Sequence, residues 1–393
     1  MGYLEDQALL RKRIEQASKS KPVHPEQLPT PKRDQDPLIR RVSSWFSAFL
    51  LALTLMVCAG CATVCWLAQS NALTAFLGYL PIHLFFLPLP FAALLALPWS
   101  PWRSIAIFCI AILGAAWVGG WSSHDSQSHK PQLGELRLLS WNRGQGRHTS
   151  LRSLIAQTQP DVILLQDAKL SHYATRGEYG DYPWIEGHGE FVTLSRWPIL
   201  SLKPLQPELR AGLKTTQQAW GLSMELDFNG RRIEVVSVHA PSPRGHLFSL
   251  LRGSAAWGVL GLLPVTDWRL RKAALETYWD PYFEFFSRLS SDRINSTKPV
   301  VVAGDFNCPA FGPIYRSLST IWRDCHQIAG SGFGHTFPGN ANHPLTLFQP
   351  WLRLDAAHVS AQWEVLRCRT LATDAQHLPL CVDLRLPARP HQP

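Results

Sequence analysis

The sequence predicts a protein of two parts, an all-α membrane region followed by a mixed α/β sandwich. Between Ser44 and Trp121 the only charged residue is Arg103, a pattern typical of membrane-spanning segments. Beyond residue 133, apolar runs of strand length alternate with turns and helical patterns, which indicates an α/β domain. We therefore divide the chain into a basic tail (1–43), a transmembrane region (44–121), a linker (122–132) and an α/β domain (133–387).

Three apolar segments are long enough to cross a membrane as helices: 44–68, 72–98 and 103–121. Each supplies roughly 20 apolar residues, the length that spans about 30 Å of hydrocarbon. Pro81, Pro88 and Pro90 predict that the second segment is kinked or forms a re-entrant pair. A buried hydrophobic hairpin is the alternative to a membrane region.

The distribution of basic residues predicts the orientation. Lys and Arg residues are frequent before Trp45, in a tail whose composition predicts disorder, and Arg103 stands at the start of the third segment. The positive-inside rule places both regions in the cytoplasm. Three crossings then put the α/β domain outside, whereas two would leave it in the cytoplasm. We expect a multi-pass protein of the cell membrane with an extracytoplasmic C-terminal domain.

The cysteines indicate no metal site of their own. Four lie in the apolar segments, and the other four are Cys308, Cys325, Cys368 and Cys381, with no pair at metal-ligand spacing. Outside the cytoplasm, a disulfide such as Cys308 to Cys325 is compatible with the redox compartment.

The α/β domain is predicted to contain many strands and two main helices. The first helix covers 148–159, with Thr149 or Ser150 as its N-cap, and the second lies around 269–290. The last strand is indicated by the alternation of Leu380, Val382 and Leu384 with polar residues. The other predicted strands are 136–142, 160–168, 191–200, 221–228, 232–240, 298–307 and 352–360.

Polar residues of a repeated kind stand at the ends of these strands. Carboxylate and amide oxygens are the ligands that Mg²⁺ or Mn²⁺ prefers, and histidines nearby can bind a phosphoryl group or move a proton. Any one of these residues alone is more often a turn or structural residue. The candidates are Asn142, Asp167, His239, Asp305, Asn307 and His377, with Asp355 inside the strand at 352–360.

The segment VVAGDFNCP (301–309) resembles the signature of the endonuclease/exonuclease/phosphatase superfamily, whose fold is DNase I-like. Further motifs follow in that family's order, and together they cover about 133–387. They are SWN (140–142), PDVILLQDA (160–168), LSRWPI (194–199), VVSVHAPSP (235–243), HTFPG (335–339) followed by LRLD (352–355), and HLPL (377–380). The resemblance implies a four-layer α/β sandwich after the membrane region.

The resemblance also implies roles for the candidate residues in metal-dependent hydrolysis of a phosphoester by in-line attack of water. Asn142 and Asp167 would hold Mg²⁺ or Mn²⁺. Asp305 and Asn307 would position or activate the water. The remaining three act on the phosphoryl oxygens: His239 and His377 by hydrogen bonds, and Asp355 by orienting His377.

Two positions depart from the family pattern. The usual metal-binding Glu is here Asp167, which is one methylene shorter, and the Asp that usually precedes the last His is Gln376. Asp374 is the carboxylate nearest in sequence that could substitute for it. Loss of that charge leaves an alternative open, in which the chain is a catalytically impaired member that acts as a membrane-tethered module for binding a phosphate ligand.

Two classes of substrate remain open. The formal net charge of +9 is shared between tail and domain, and this mild surplus suits an anionic substrate without requiring nucleic acid. A lipid or other small phosphodiester fits the membrane region and the apolar segment 245–268. That segment is either a helix-loop packed on the core or a flap that lies on the bilayer beside the site.

Overall fold

The computed structural model describes the chain in two connected parts, a helical N-terminal region and an α/β domain. The described residues are 12–13, 37–124, 132, 134–144, 150–174, 179–207, 218–251, 273–274, 277–339 and 350–387. Most of the predicted tail, most of the linker and most of the apolar segment 245–268 lie outside these residues. The domain boundaries therefore stay predictions.

Within residues 37–124 the helical region contains four α-helices and two 3₁₀ helices, Ala68–Ser70 and Ile82–Phe86. The helices are α1 (Pro37–Leu67), α2 (Ala72–Gly78), α3 (Leu89–Ala96) and α4 (Pro101–Gly119). By length and composition, Leu38–Ser70 and Pro101–Gly119 can cross a membrane, and Ala72–Gly78 with Ile82–Ala96, bent by 84°, adds a third crossing if it is one broken span. The predicted kink is thus a sharp bend, and it falls at Pro81.

The first helix starts earlier than predicted. It begins at Pro37 instead of Ser44, so the last residues of the predicted disordered tail are helical. A proline at the first helical position has its φ already set for the helix and loses no hydrogen bond there, which explains the start at Pro37.

The starts of α1 and α4 lie side by side. Arg103 donates hydrogen bonds from Nη1 to the Ser44 carbonyl (2.6 Å) and to Ser47 Oγ (2.8 Å). The end of α3 reaches the same place, because Ser104 Oγ donates to the Ala93 carbonyl (2.7 Å). The starts of α1 and α4 and the end of α3 therefore lie together at one end of the helical bundle.

The described residues of the α/β domain form two six-stranded sheets, and a two-stranded pair lies beside them. The strands are β1 (Ser122–Ser123), β2 (Glu135–Asn142), β3 (Val162–Gln166), β4 (Trp184–His188), β5 (Phe191–Ser195), β6 (Ile199–Leu205), β7 (Gly221–Phe228), β8 (Arg231–His239), β9 (Val300–Asp305), β10 (Arg323–Asp324), β11 (Ser331–Gly332), β12 (Asp355–Val359), β13 (Glu364–Thr370) and β14 (Leu380–Arg385). One six-stranded sheet has the order β10-β12-β9-β8-β7-β6 and the other the order β13-β14-β2-β3-β5-β4. β1 pairs with β11, so the first residues of the predicted linker belong to the fold.

Five α-helices can be bounded in the part of the domain that the structure describes: α5 (Leu151–Thr158), α6 (Arg244–Leu251), α7 (Asp280–Ser291), α8 (Gly312–Ser319) and α9 (Cys325–Ala329). Ser150 is the N-cap residue of α5, as predicted, but its side chain makes no capping hydrogen bond. Helix α7 covers the later part of the helix predicted around 269–290, and in the earlier part the described residues 273–274 and 277–278 are helical as well. Helices α8 and α9 were not predicted.

The predicted strand at 191–200 is wrong, because this stretch contributes to two strands in different sheets. β5 ends at Ser195 and β6 begins at Ile199. Between them Ser195 Oγ accepts a hydrogen bond from the Trp197 amide (3.0 Å), and Pro198 cannot donate one to a sheet. The continuous apolar pattern hides the turn at which the chain changes sheets. The edge strands β4 and β13, which are only partly buried, were also not predicted.

Three apolar clusters set the layers of the α/β domain. The first lies between the two sheets and includes Leu138 and Val301. The second covers the outer face of one sheet under α7 and α8, and the third covers the outer face of the other under α5. This confirms the predicted mixed α/β architecture. All eight cysteines are free, and Cys308 and Cys325 lie in different clusters, so the proposed disulfide is not formed.

Candidate active site

The candidate site lies where strand ends from both sheets meet. His239 and Asp305 end the parallel strands β8 and β9 and are paired in register, and Asp355 opens β12 opposite Asp305. Asn142 ends β2 in the other sheet and reaches across to Asp305. Parallel strands carry their carboxyl ends to one edge, which explains why these residues converge.

Asp305 is the centre of the site and is fully buried. Its Oδ2 accepts hydrogen bonds from Asn142 Nδ2 (2.8 Å) and Asn307 Nδ2 (3.0 Å), and its Oδ1 accepts one from the Asn307 amide (2.8 Å). Burial raises the pKa of this carboxyl, the nearby His377 opposes the rise, and Asp355 adds to it. Asp305 is thus a desolvated carboxylate held in one orientation.

His377 is paired with Asp355 on one side of Asp305. Its Nδ1 lies 2.9 Å from Asp355 Oδ2 and 3.8 Å from Asp305 Oδ2. Burial by itself would lower the pKa of His377, but the charges of Asp355 and Asp305 outweigh it and raise the pKa to about 9. The imidazole is therefore charged at neutral pH.

His239 is paired with Glu190, a residue that the sequence did not single out. His239 Nδ1 lies 2.7 Å from Glu190 Oε1, and its Nε2 lies 3.4 Å from Asn142 Nδ2 and 3.8 Å from Asp305 Oδ2. Burial opposes the charged ring, but Glu190 and Asp305 raise the pKa of His239 overall. Glu190 directly precedes β5, and a single Glu at a strand start carries no signal that could have identified it.

Asp167 stands at the edge of the site. It is half-buried, and its backbone has the left-handed conformation, with φ of 48°. Burial raises its pKa, Glu190 adds to the rise, and the charges of His239 and His377 lower it, which places all four groups in one electrostatic neighbourhood. Among the described residues its carboxylate has no hydrogen-bond or ion-pair partner, so it is open to a ligand.

The turn before β14 holds no buried carboxylate beside His377. Gln376 is exposed, and its carbonyl accepts a hydrogen bond from the Gly339 amide (2.6 Å). Asp374 is exposed as well. Compared with an aspartate at this position, the neutral Gln376 therefore changes only the charge at the rim of the site. The packing of the buried residues does not depend on it.

A buried network holds the start of β12. Thr336 Oγ1 accepts hydrogen bonds from the amides of Leu354 (3.2 Å) and Asp355 (3.1 Å). Next to it Arg353 donates to both oxygens of Asp324 (2.9 and 2.6 Å), and this ion pair is buried. Because the backbone of Asp355 is held in this way, its carboxylate meets His377 in a defined position.

The donor atoms fit a hard divalent cation. Ligand atoms of Asp305, Asp355 and His377 lie within 4.8 Å of one another, and the two carboxylates are the possible ligands among them, because the charged His377 is a hydrogen-bond donor. Beside this cluster are the open carboxylate of Asp167 and the amide oxygen of Asn142, which accepts one hydrogen bond from the Gly144 amide (2.9 Å) and keeps a second lone pair. Oxygen donors of this kind suit Mg²⁺ or Mn²⁺.

Comparison with known proteins identifies the family. The sequence matches the profile described as the Endonuclease/Exonuclease/phosphatase family over residues 139–375, more than half of the chain. The chain belongs to this family. Members generally hydrolyse phosphoester bonds, typically with a divalent metal. No curated protein matches the chain.

Solved structures of the family resemble the α/β domain at low identity. An endonuclease/exonuclease/phosphatase from Beutenbergia cavernae is 18% identical over 65% of this chain and 73% of its own, with a TM-score of 0.45. The human Nocturnin catalytic domain is 15% identical over 67% and 98%, with a TM-score of 0.42. A mannosyl-6-phosphatase from Bacteroides thetaiotaomicron is 15% identical over 63% and 99%, with a TM-score of 0.43.

Proposed function

We propose that this family member is a membrane-anchored, divalent-metal-dependent phosphoesterase. The observation that carries the proposal is the convergence on Asp305: two histidines, each backed by a carboxylate, lie 3.8 Å from the same oxygen of a buried aspartate. Such a cluster concentrates hydrogen-bond donors and a base around one point, which is what in-line attack of water on a phosphoester requires.

Asn142 and Asp167 would hold the metal ion. When bound, the ion supplies positive charge that stabilises the growing negative charge on the phosphoryl oxygens. Asp167 has a side chain one methylene shorter than that of Glu, and it directly follows β3 with a left-handed backbone. Its carboxylate lies in the electrostatic neighbourhood of His239 and Glu190. Its half-buried position raises the pKa, so an approaching cation would also favour its ionised form.

The charged His377 would donate a hydrogen bond to a phosphoryl oxygen. Nδ1 of His377 is hydrogen-bonded to Asp355, so its Nε2 is the nitrogen that is available for the substrate. The carboxylate of Glu190 lies 2.7 Å from Nδ1 of His239 as an ion-pair partner and so stabilises the charged form of that ring. Asp305 would accept the proton of the attacking water, since burial raises its pKa and Asn307 holds both of its oxygens.

The packing of the helical region supports three membrane crossings. The starts of α1 and α4 are joined through Arg103 and Ser44, and the opposite ends of both helices contact the α/β domain, at Trp66 and Gly119. The segment between them runs from His83, which lies 5.5 Å from the ring of His335, to Ala93 at the far end. It therefore crosses the bundle, which favours a cytoplasmic tail and an extracytoplasmic catalytic domain.

The substrate is a phosphoester, either nucleic acid or a phospholipid or small phosphodiester. To test the activity, we would measure hydrolysis of bis-(p-nitrophenyl) phosphate by the full chain in detergent, with Mg²⁺, Mn²⁺ or EDTA. We expect turnover with a divalent ion and none with EDTA. Plasmid nicking compared with phospholipid turnover then separates the two substrate classes.

The neutral Gln376 supports the second candidate, a phosphate-binding module without turnover. No hydrolysis with any divalent ion, together with retained binding of inorganic phosphate, would establish the module and refute the enzyme. A reporter fused to the C-terminus tests the orientation, and a cytoplasmic signal would contradict the proposed topology.

A further inference from the structure

We infer that Tyr79, in the helical region, is a positioning residue for the catalytic loop, so that the membrane region forms part of the working site. This inference rests on the proposed function. Tyr79 lies between α2 and the 3₁₀ helix, and its hydroxyl donates a hydrogen bond to the carbonyl of Asn307 (2.6 Å), 228 residues away in sequence.

Tyr79 is held at three points. Its ring stacks on Trp279 at 6.4 Å with an interplanar angle of 21°. Its own carbonyl accepts a hydrogen bond from Trp351 Nε1 (3.2 Å), and its hydroxyl binds Asn307. A side chain fixed at both ends in this way can transmit a position from the helical region to the loop after β9.

Asn307 has a left-handed backbone, with φ of 46°. Asparagine tolerates this conformation better than most residues other than glycine, and the contacts around Asn307 fix the position of its side chain and of its carbonyl. Inside the site, Asn307 Nδ2 donates to the Ala240 carbonyl (2.8 Å) and to Asp305 Oδ2, and its amide donates to Asp305 Oδ1. The bond from Tyr79 fixes the one remaining polar group of this residue's backbone, its carbonyl.

The loop beyond Asn307 is also in contact with the helical region. Phe311 packs into the apolar cluster of the helices, and a Cβ atom on Gly78 would lie 3.3 Å from the Phe311 ring. At Gly312 the approach is closer still, because an added Cβ would lie 2.4 Å from Gln69 Oε1. The helical region therefore contacts and supports the chain from Asn307 to Gly312. Its role extends beyond anchoring the α/β domain to the membrane.

The test compares Tyr79→Phe with Tyr182→Phe in the full chain in detergent. Each change removes only a hydroxyl that donates to a backbone carbonyl, since Tyr182 donates to Pro160 (2.7 Å) at a place outside the site. A neutral hydrogen bond of this kind corresponds to roughly two- to tenfold in an equilibrium or a rate. We expect kcat to fall by about that factor in Tyr79→Phe with little change in KM, and to remain at the wild-type value in Tyr182→Phe.

Amide hydrogen exchange of peptides covering 305–311 provides a readout that does not need activity. Exchange should be faster in Tyr79→Phe than in the wild type and unchanged in Tyr182→Phe. If an active wild type and Tyr79→Phe share the same kcat, or if loop exchange is equal in both, the inference is overturned. A wild type that is inactive with every divalent ion instead overturns the proposed function, and the exchange data then decide whether Tyr79 holds the loop.

Discussion

Both histidines of the site lie 3.8 Å from the same oxygen of Asp305, but their partner carboxylates differ in exposure. The side chain of Asp355, which pairs with His377, is 2% exposed, whereas that of Glu190, which pairs with His239, is 22% exposed. Charges interact more strongly where water is excluded, so Asp355 controls its histidine more firmly than Glu190 does.

The supports behind the two carboxylates differ as well. Asp355 opens a buried strand, and Thr336 binds its amide. Glu190 lies in a turn before a strand, and its carboxylate also accepts a hydrogen bond from Gln218 Nε2 (2.7 Å) at the surface. The difference indicates that the pair of Asp355 and His377 is held more firmly and that the pair of Glu190 and His239 lies closer to solvent. The following substitutions separate the two sides.

Asp305→Asn should have the largest effect, because it removes the charge that both histidines face. We expect activity on bis-(p-nitrophenyl) phosphate to fall by about 10⁴-fold, the loss of a base together with the orientation of its neighbours. The isosteric change keeps the volume of a fully buried side chain. One of its terminal oxygens becomes an NH₂ group that faces an amide donor, so the thermal midpoint in detergent should fall modestly while the domain stays folded. A large drop in that midpoint with turnover retained would contradict the catalytic assignment.

Asp355→Asn should cost about 10²-fold in kcat and should alter the pH profile. His377, with a pKa of about 9, is charged below that value and loses its proton as the pH rises through it, so wild-type activity should decline on the alkaline side near pH 9. Without the charge of Asp355, burial lowers the pKa, and the decline should move to lower pH. A profile that is the same in both proteins would show that His377 does not control this limb.

Glu190→Gln should reduce activity by about tenfold and leave the alkaline limb in place. The interaction it removes is partly exposed and hence screened, so its contribution is smaller than that of Asp355. The pH–rate profiles of the two variants, measured side by side at equal ionic strength, check this. A loss equal to that of Asp355→Asn would erase the distinction between the two sides.

Gln376→Asp should have the smallest effect and should act in the opposite direction. Gln376 is exposed, so the substitution adds the carboxylate usual in the family at the rim without disturbing the core. We expect the Mg²⁺ concentration for half-maximal activity to fall by a few-fold, through added negative charge near the cation. Asn at the same position is the matched neutral control, and equal Mg²⁺ dependence in both variants would refute the prediction.

The sequence alone determined the mixed α/β architecture, the apolar helices and a set of candidate residues that the fold brings to one place. These features depend on local patterns: alternation in strands, length and hydropathy in the helices, and the short run from Gly304 to Asn307 that ends a buried strand. They can be read because each pattern is complete within about ten to twenty residues.

Only the tertiary structure decided three other features. The stretch 191–205 is divided between two sheets, Glu190 supports His239, and Tyr79 binds the carbonyl of Asn307. Each depends on which distant elements are neighbours in space. None of these three features produces a periodic pattern in the sequence. The contact of Tyr79 with Asn307, for example, joins two common residue types that are 228 residues apart, and only the packing of the fold makes them neighbours.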